Sequence, residues 1–548
     1  MKQKYILLLI LIISLPAVVR MLPSGIYSMQ DFPYFRMVEY ARCISDGQFP
    51  CRWAANAGLG YGEPVFNFYS HIPFLLGGIL ANLGISVVSS LKFVFGFSLI
   101  GSAFAMYLLS RTVWKSDWAG VLSSILYLYA PYRAVNVWVR GALPESFAFI
   151  ILPLILFCFE KYIQKEQKQW LVGFSISLSA LLLTHNLSVL LFSMTISLWI
   201  LLRLFIHHKL RLLLPICIAS VLSVGLASFY LLPVITESSF VNLQTTTEGY
   251  FNFRAHFVTL EQIFLSRFWG YGGSTWGSED GLSLAIGPVQ WSMSLITGVY
   301  AMVLLWKKRR VSTNLLSVLF LVGSGFLYLL LMHNKSTPLW EMTASVSQYI
   351  QFPWRFLGIA LFSFSFAGGF LVSTFNTLRS KFVFAASILT LVIGLNAPFF
   401  KEDYWISASD RELQSGERWV DQSRASIGDY WPKYGPIPTE YMTVPANTRL
   451  IEKGSQMQQY EVTNTTSGVV SFPVAYFPGW RAYLGQDEEI SITPDVNGMI
   501  SSTISEGSHT VRLVFTRTPV RVAGEIVSLA SMCTFLAFLF VNKKKKHL

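Results

Sequence analysis

Long apolar runs recur from residue 4 to about Phe399, separated by short charged loops and by a few long polar ones. A bilayer-spanning helix needs roughly 20 mostly apolar residues, and about twelve segments meet or approach that length. They are 4–22, 87–110, 116–131, 145–162, 170–184, 187–206, 211–233, 284–306, 312–332, 353–376, 382–399 and 521–541. The run 72–84 is too short to cross and reads as a surface or re-entrant helix. From Lys401 to Arg521 the texture changes to prolines, turns and short stretches alternating in period two, of which "HTVRLVF" (509–515) is the clearest. Asn497-Gly498 is a hairpin dipeptide. The pattern predicts a polytopic α-helical membrane protein in three parts. A multi-span domain covers 1–399, a mostly β, sandwich-like domain covers 400–520, and a last helix with a Lys-rich tail covers 521–548.

Composition agrees: of 548 residues 53% are hydrophobic and 13% charged, too apolar for a soluble enzyme. The net charge of +12 does not indicate nucleic acid, because the basic residues are scattered over loops without a stripe or motif. They orient the chain instead, since short cytoplasmic loops are enriched in Lys and Arg. Both termini then fall in the cytoplasm, and 23–71, 132–144, 234–283, 333–352 and the β domain face outward. The first run lacks a good small-x-small cleavage pattern and reads as an uncleaved anchor.

The two faces differ in their cations. The inner loops and tail hold fourteen Lys and six Arg; the outer loops before residue 400 hold two Lys (92, 335) and nine Arg (20, 36, 42, 52, 133, 140, 254, 267, 355). Guanidinium forks suit phosphate and carboxylate bidentately, whereas ammonium does not. Any one arginine is explained by pairing with Glu39, Glu63, Glu145, Glu237 or Glu341, or by snorkelling; the set as a whole indicates an anion site.

Several outer stretches carry candidate chemistry. Asp31 stands two residues before Pro33, as an N-cap, a general base or a metal ligand. Residues 56–74 are rich in Gly and aromatics and contain Glu63. Arg133, Arg140 and Glu145 cluster in 130–147, with Glu145 a salt-bridge partner or a second catalytic carboxylate. Thr184-His185-Asn186 is a polar triplet in a tight turn between two spans, where polar residues are functional or well paired. Glu279 and Asp280 lie in a Gly- and Trp-rich loop that could act as a lid. Arg355 opens a helix, against the helix dipole, and so calls for an anionic partner. Cys43 and Cys51, on the oxidising side, either pair or stay as free thiols. There is no Walker loop, Rossmann glycine pattern or zinc ligand pair.

Taken in order, "QDFPYFRMVEYARCISDGQFPCRW", "GYGEPVFNFYS", "PYRAVNVWVRGALPESFAF", "LLLTHNLS", "RFWGYG" and "QFPWRF" resemble a family of large bacterial membrane proteins labelled 6-pyruvoyl-tetrahydropterin synthase-related. A pterin synthase is a small soluble zinc enzyme, and no histidine cluster of that kind is present. The family's layout is similar to that of C-type glycosyltransferases, multi-span enzymes that use sugars carried on polyprenyl phosphate. That resemblance implies Asp31 as the catalytic carboxylate, and the outer arginines as holders of the donor phosphate. Asp31 has no acidic neighbour in sequence, so a divalent metal ion (Mg or Mn) stays an open expectation. Residues 474–515 resemble the C-terminal part of bacterial YfhO-like membrane proteins.

The expectation is an integral-membrane glycosyltransferase of the bacterial plasma membrane. It transfers a sugar from a polyprenyl-phosphate-linked donor to an extracytoplasmic glycan, lipid or protein. Asp31 acts on the acceptor, Arg36, Arg140, Arg355, His185 and Asn186 bind the donor, and Glu63, Glu145, Glu279 and Asp280 are candidate acidic partners. The rival readings are a transporter or flippase for a lipid-linked glycan and a non-catalytic assembly protein.

Overall fold

The computed structural model describes residues 3–27, 31–243, 246–277, 280–308, 312–424 and 427–540. In chain order the main helices are α1 (Gln3–Ser14), α2 (Asp31–Ser45), α3 (Ile72–Asn82), α4 (Val87–Trp114), α5 (Asp117–Leu128), α6 (Leu143–Lys165), α7 (Lys168–Thr184), α8 (Asn186–Ile206), α9 (Leu213–Leu226) and α10 (Ser228–Glu237). They are followed by α11 (Pro288–Lys308), α12 (Thr313–Leu331), α13 (Leu357–Ser373), α14 (Leu378–Asn396) and α15 (Pro519–Phe540).

Among the described residues, eight helices are long and apolar enough to cross a membrane, or nine if the bent pair α9–α10 counts as one span. The other four of the twelve predicted segments form three shorter helices and the bent pair, for local physical reasons. In the segment 4–22, α1 ends at Ser14 and the chain turns through 3-10 geometry around Pro16, which has no N–H to continue the ladder. Helix α5 is twelve residues long and buried from Ala119 to Leu128, packed against α4 and α13. Neighbouring helices rather than bilayer thickness set its length. Helix α7 has seventeen residues. The segment 211–233 bends by 70° at Ala227. Ser528 of α15 serves the backbone freed at that bend: its Oγ accepts from Phe229 N at 2.8 Å and donates to Gly225 O at 3.1 Å.

The polar region before α15 folds into eight antiparallel strands: β1 (Thr448–Lys453), β2 (Met457–Asn464), β3 (Gly468–Ala475), β4 (Trp480–Leu484), β5 (Glu488–Ile490), β6 (Thr493–Pro494), β7 (Met499–Ile504) and β8 (Gly507–Phe515). One sheet runs β1-β2-β8-β4-β5 and the other β3-β7-β6. Asn497-Gly498 forms the turn between β6 and β7, with Gly498 at φ +78°. Trp480 lies in the core.

That core is shared with the aromatic loop that follows α2. Trp53 and Phe68 pack among Val462, Phe477, Val511 and Phe515. Trp53 stands 5.2 Å from both Trp480 and Phe515, centroid to centroid. Gly62, at φ +84°, lets the chain pass over Trp53, where a Cβ would meet the indole at 2.6 Å. Cys43 and Cys51 are disulfide-bonded, Cα atoms 5.5 Å apart, closing the loop that delivers Trp53. The boundary drawn at residue 400 therefore cuts through one hydrophobic core.

Candidate functional site

Where the helix ends meet the β domain there is a cleft of about 660 Å³. It gathers Arg36, Arg140, Glu145, His185, Asn186 and Arg355, which are spread over more than 300 residues of sequence. Each arrives on a different element. Pro33 and Arg36 come from the first turns of α2. Arg140 follows a π-turn, Val135–Val139. Glu145 sits in the first turn of α6. His185 and Asn186 form the α7–α8 corner.

Arg355 lies in the 3-10 turn Pro353–Phe356 that opens α13. Just before it, Gln351 holds φ +65° and ψ −50°, a γ-turn closed by Phe352 N donating to Ile350 O at 2.7 Å. A non-glycine residue adopts this region only under tertiary constraint. Here Gln351 Nε2 donates to Thr246 O at 2.6 Å, and its Oε1 accepts from Arg355 Nη1 at 2.7 Å. Arg355 Nη1 also donates to Ile350 O at 2.8 Å. The Nε of Arg355 is buried without a partner, and among the described residues Arg355 forms no ion pair.

The other two arginines are held by acids and aromatic faces. Arg140 Nη1 meets Glu145 Oε2 at 2.8 Å and also Asn136, and its guanidinium lies 4.6 Å from the Trp354 ring centroid. Glu145 Oε1 accepts from Tyr132 OH at 2.5 Å and from Asn136 Nδ2 at 3.2 Å. So thoroughly engaged a carboxylate positions Arg140; the salt-bridge reading of Glu145 fits better than the catalytic one. Arg36 lies 4.3 Å over Tyr69, with Nη2 3.4 Å from Asp429 Oδ2. Burial raises the Asp429 pKa, and Arg36 opposes that shift. His185 Nδ1 pairs with Ser188 Oγ at 2.7 Å. Asn186 Nδ2 donates to Tyr230 OH at 2.7 Å, which donates to Phe68 O at 2.8 Å.

Asp429 and Tyr430, from the short helix Ile427–Tyr430 ahead of the β domain, line the cleft too, with Tyr69, Tyr230, Tyr349 and Gln351. Gln351 opens the motif "QFPWRF" and Tyr69 lies in the aromatic stretch 56–74, whereas Asp429, Tyr430 and Tyr230 did not stand out in the sequence. Asp429 is 393 residues from its arginine, in a segment without periodicity.

The remaining arginines divide plainly. Arg20 pairs with Glu402, Arg42 with Glu39, Arg52 with Glu525 and Arg254 with Glu341. Arg267 donates to Leu395 O, and Arg133 is buried among Ser98, Ser102 and Ser146. Only three of the nine line the cleft.

Not every candidate acid is there. Helix α2 opens at Asp31, next to the cleft residue Pro33, but the Asp31 side chain lies outside the described residues, as does Glu279. Glu63 is buried behind the Arg36–Asp429 pair, with neither oxygen hydrogen-bonded among the described residues. Burial and the nearby Asp429 hold it well above the usual carboxylate range, against Arg36. Asp280 does not line the cleft; it accepts from Leu282 N at 2.9 Å and from Gln262 Nε2 at 3.2 Å. Ser274 of the Gly-rich stretch around it accepts from Trp354 Nε1 at 3.0 Å, and none of the described residues of that stretch lines the cleft. Among the described residues no group of three or more His, Cys, Asp and Glu comes together.

Burial pushes the Asp280 pKa up to about 6, from an ordinary value near 3.8. The folded state then binds this proton more tightly than the unfolded chain, so stability from this group is full below about pH 4 and is lost as pH rises through about 6. Asp280→Asn is expected to raise the thermal midpoint at pH 7.5 and leave it unchanged at pH 4, measured by melts in detergent.

Comparison with known proteins agrees with this architecture. A family model described as 6-pyruvoyl-tetrahydropterin synthase related domain, membrane protein, matches residues 66–400. Arg140, Glu145, His185, Asn186 and Arg355 fall inside the match; Asp31 and Arg36 precede it and Asp429 follows it. No curated protein matches the chain. With the family model covering most of its length and its helices built to span a bilayer, the chain is a multi-pass membrane protein belonging to the 6-pyruvoyl-tetrahydropterin synthase-related family.

Proposed function

We propose that the protein is a glycosyltransferase that takes a sugar from a polyprenyl-phosphate-linked donor and passes it to an acceptor outside the plasma membrane of a bacterium. The observation that carries this reading is the cleft arginine Arg355, half-buried and in no direct ion pair among the described residues, beside Arg140 and a wall of aromatic rings. A guanidinium partly withdrawn from water without a direct ion pair favours an arriving anion. Fixed donors aimed at a leaving phosphate stabilise the charge that develops as the glycosidic bond breaks. Leu187, Leu190, Val234 and Phe251 line the same cleft and suit the start of a prenyl chain. Tyr69, Tyr349 and Tyr430 offer faces to a sugar ring. The layout's likeness to C-type glycosyltransferases adds support.

In this reading Arg355, Arg140 and Arg36 hold the donor phosphate. His185 and Asn186 shape the corner beneath it, and Glu145 fixes Arg140. Asp31 deprotonates or orients the acceptor hydroxyl. The outward orientation of the cleft and the cytoplasmic placement of both termini follow from the distribution of Lys.

The experiment is complementation in the native host by Asp31→Asn, scored by the sugar composition of surface glycans with membrane abundance measured in parallel. Loss of one sugar at normal abundance is the expected result. An unchanged profile, in a strain where deletion of the protein alters it, would remove Asp31 from the reaction.

A further inference from the structure

We propose that a second groove, on the opposite side of α2 from the cleft, binds an anionic phospholipid of the surrounding bilayer. The groove holds about 1210 Å³ and shares no lining residue with the cleft. Its wall is apolar: Val18, Met21 and Leu22 after α1, and Phe93, Phe97 and Ile100 along α4. Leu22, Phe93 and Phe97 are 79%, 53% and 43% exposed, as side chains facing lipid are. Its polar end is built by residues 407–412, which dock on the start of α4.

The polar end holds two carboxylates and two cations, and what distinguishes them is that the carboxylates are occupied while the cations are in no ion pair among the described residues. Two carboxylates are present, and both are turned into caps. Asp410 accepts from Val87 N at 2.8 Å, Val88 N at 3.1 Å and Tyr34 OH at 3.0 Å. Glu412 accepts from Ser409 N and Oγ, both at 2.7 Å. The two cations, Lys92 and Arg411, form no ion pair among the described residues. Lys92 Nζ donates to Pro23 O and lies 4.8 Å from the Trp405 ring centroid, with its stem buried against α4. It stands five residues into α4, roughly 8 Å along the axis at 1.5 Å per residue, between the polar end of the groove and the apolar side chains of Phe93 and Phe97. Acyl chains over Phe93 and Phe97, with the phosphate between Lys92 and Arg411, satisfy both halves of the groove.

Native mass spectrometry of the full chain, released from vesicles of equal phosphatidylglycerol and phosphatidylcholine, tests this. The native protein is expected to retain phosphatidylglycerol preferentially. Lys92→Gln with Arg411→Gln is expected to lower that retention by about tenfold or more, given about fivefold per cation at an anionic surface. Gly96→Leu tests the site without touching charge: a Cβ there meets nothing closer than Val18 Cγ1 at 3.9 Å, so the backbone position accepts a side chain, which adds bulk to the groove lining. It is expected to reduce retention as much. Equal retention of the two lipids by the native protein, or undiminished phosphatidylglycerol on the well-folded variants, overturns the proposal. So does displacement of the bound lipid by a short polyprenyl phosphate alone.

Discussion

Arg355→Gln is expected to lower the proposed transfer from a lipid-phosphate-linked sugar by about 100- to 1,000-fold, the usual loss when one fixed charge-stabilising donor is removed, while the protein stays folded in the membrane. The two halves of that outcome have separate grounds. Activity falls because Arg355 is the cleft cation without a carboxylate. Stability holds because the substitution strands no acid: the groups that accept from Arg355 are the carbonyl of Ile350 and the amide oxygen of Gln351. Arg355→Lys keeps the charge but not the fork and is expected to recover only part of the rate. Arg140→Gln makes an instructive contrast. It leaves Glu145 buried without its cation, so it is expected to lower abundance as well as activity. Transfer assays on purified protein, with thermal melts in parallel, separate the two variants.

The largest effect on stability is expected at Glu237. Arg521, fully buried at the start of α15, places Nε 3.1 Å and Nη2 2.9 Å from Glu237 Oε2. Thr518 Oγ1 and Asn67 Nδ2 donate to the same carboxylate at 2.6 and 2.7 Å. Arg521 also donates to Thr516 O and Pro478 O. This network ties the last helix to α10, to the aromatic loop and to the edge of the β domain. Glu237→Ala leaves a buried, uncompensated guanidinium and is expected to cost about 3–5 kcal/mol. Glu237→Leu with Arg521→Met removes both charges and is expected to recover most of that loss. Thermal midpoints by fluorescence-detected size exclusion check both. A single variant as stable as the native protein would mean that the pair holds nothing together.

Sequence pattern carried the architecture and most of the cleft, for identifiable reasons. Arginine where outer loops ordinarily avoid cations marked Arg36, Arg140 and Arg355, and a polar corner between apolar runs marked His185 and Asn186. Hydropathy located the apolar segments but not the lengths of their helices: α5 is as apolar as a span, yet it is twelve residues long and buried among its neighbours. Nor does the pattern say which arginines are already neutralised. Arg254 and Arg355 look alike along the chain, yet one meets Glu341 and the other meets only amide and carbonyl oxygens. Asp429 was out of reach, because no period links it to α2. Trp53 carried an aromatic-loop pattern, but its partners Trp480 and Phe515 lie beyond residue 470, and only folding brings them together.

The central claim is that a phosphate-linked lipid sits in the cleft against Arg140 and Arg355. The most direct measurement is photolabelling of the purified protein with a polyprenyl-phosphate sugar carrying a photoreactive group near the phosphate, with the labelled residues mapped by peptide mass spectrometry. Label is expected on 184–190, 230–234 and 349–355, competed by unlabelled polyprenyl phosphate and lost in Arg355→Gln. Label elsewhere on the protein, or cleft label that persists undiminished in that variant, would contradict the claim.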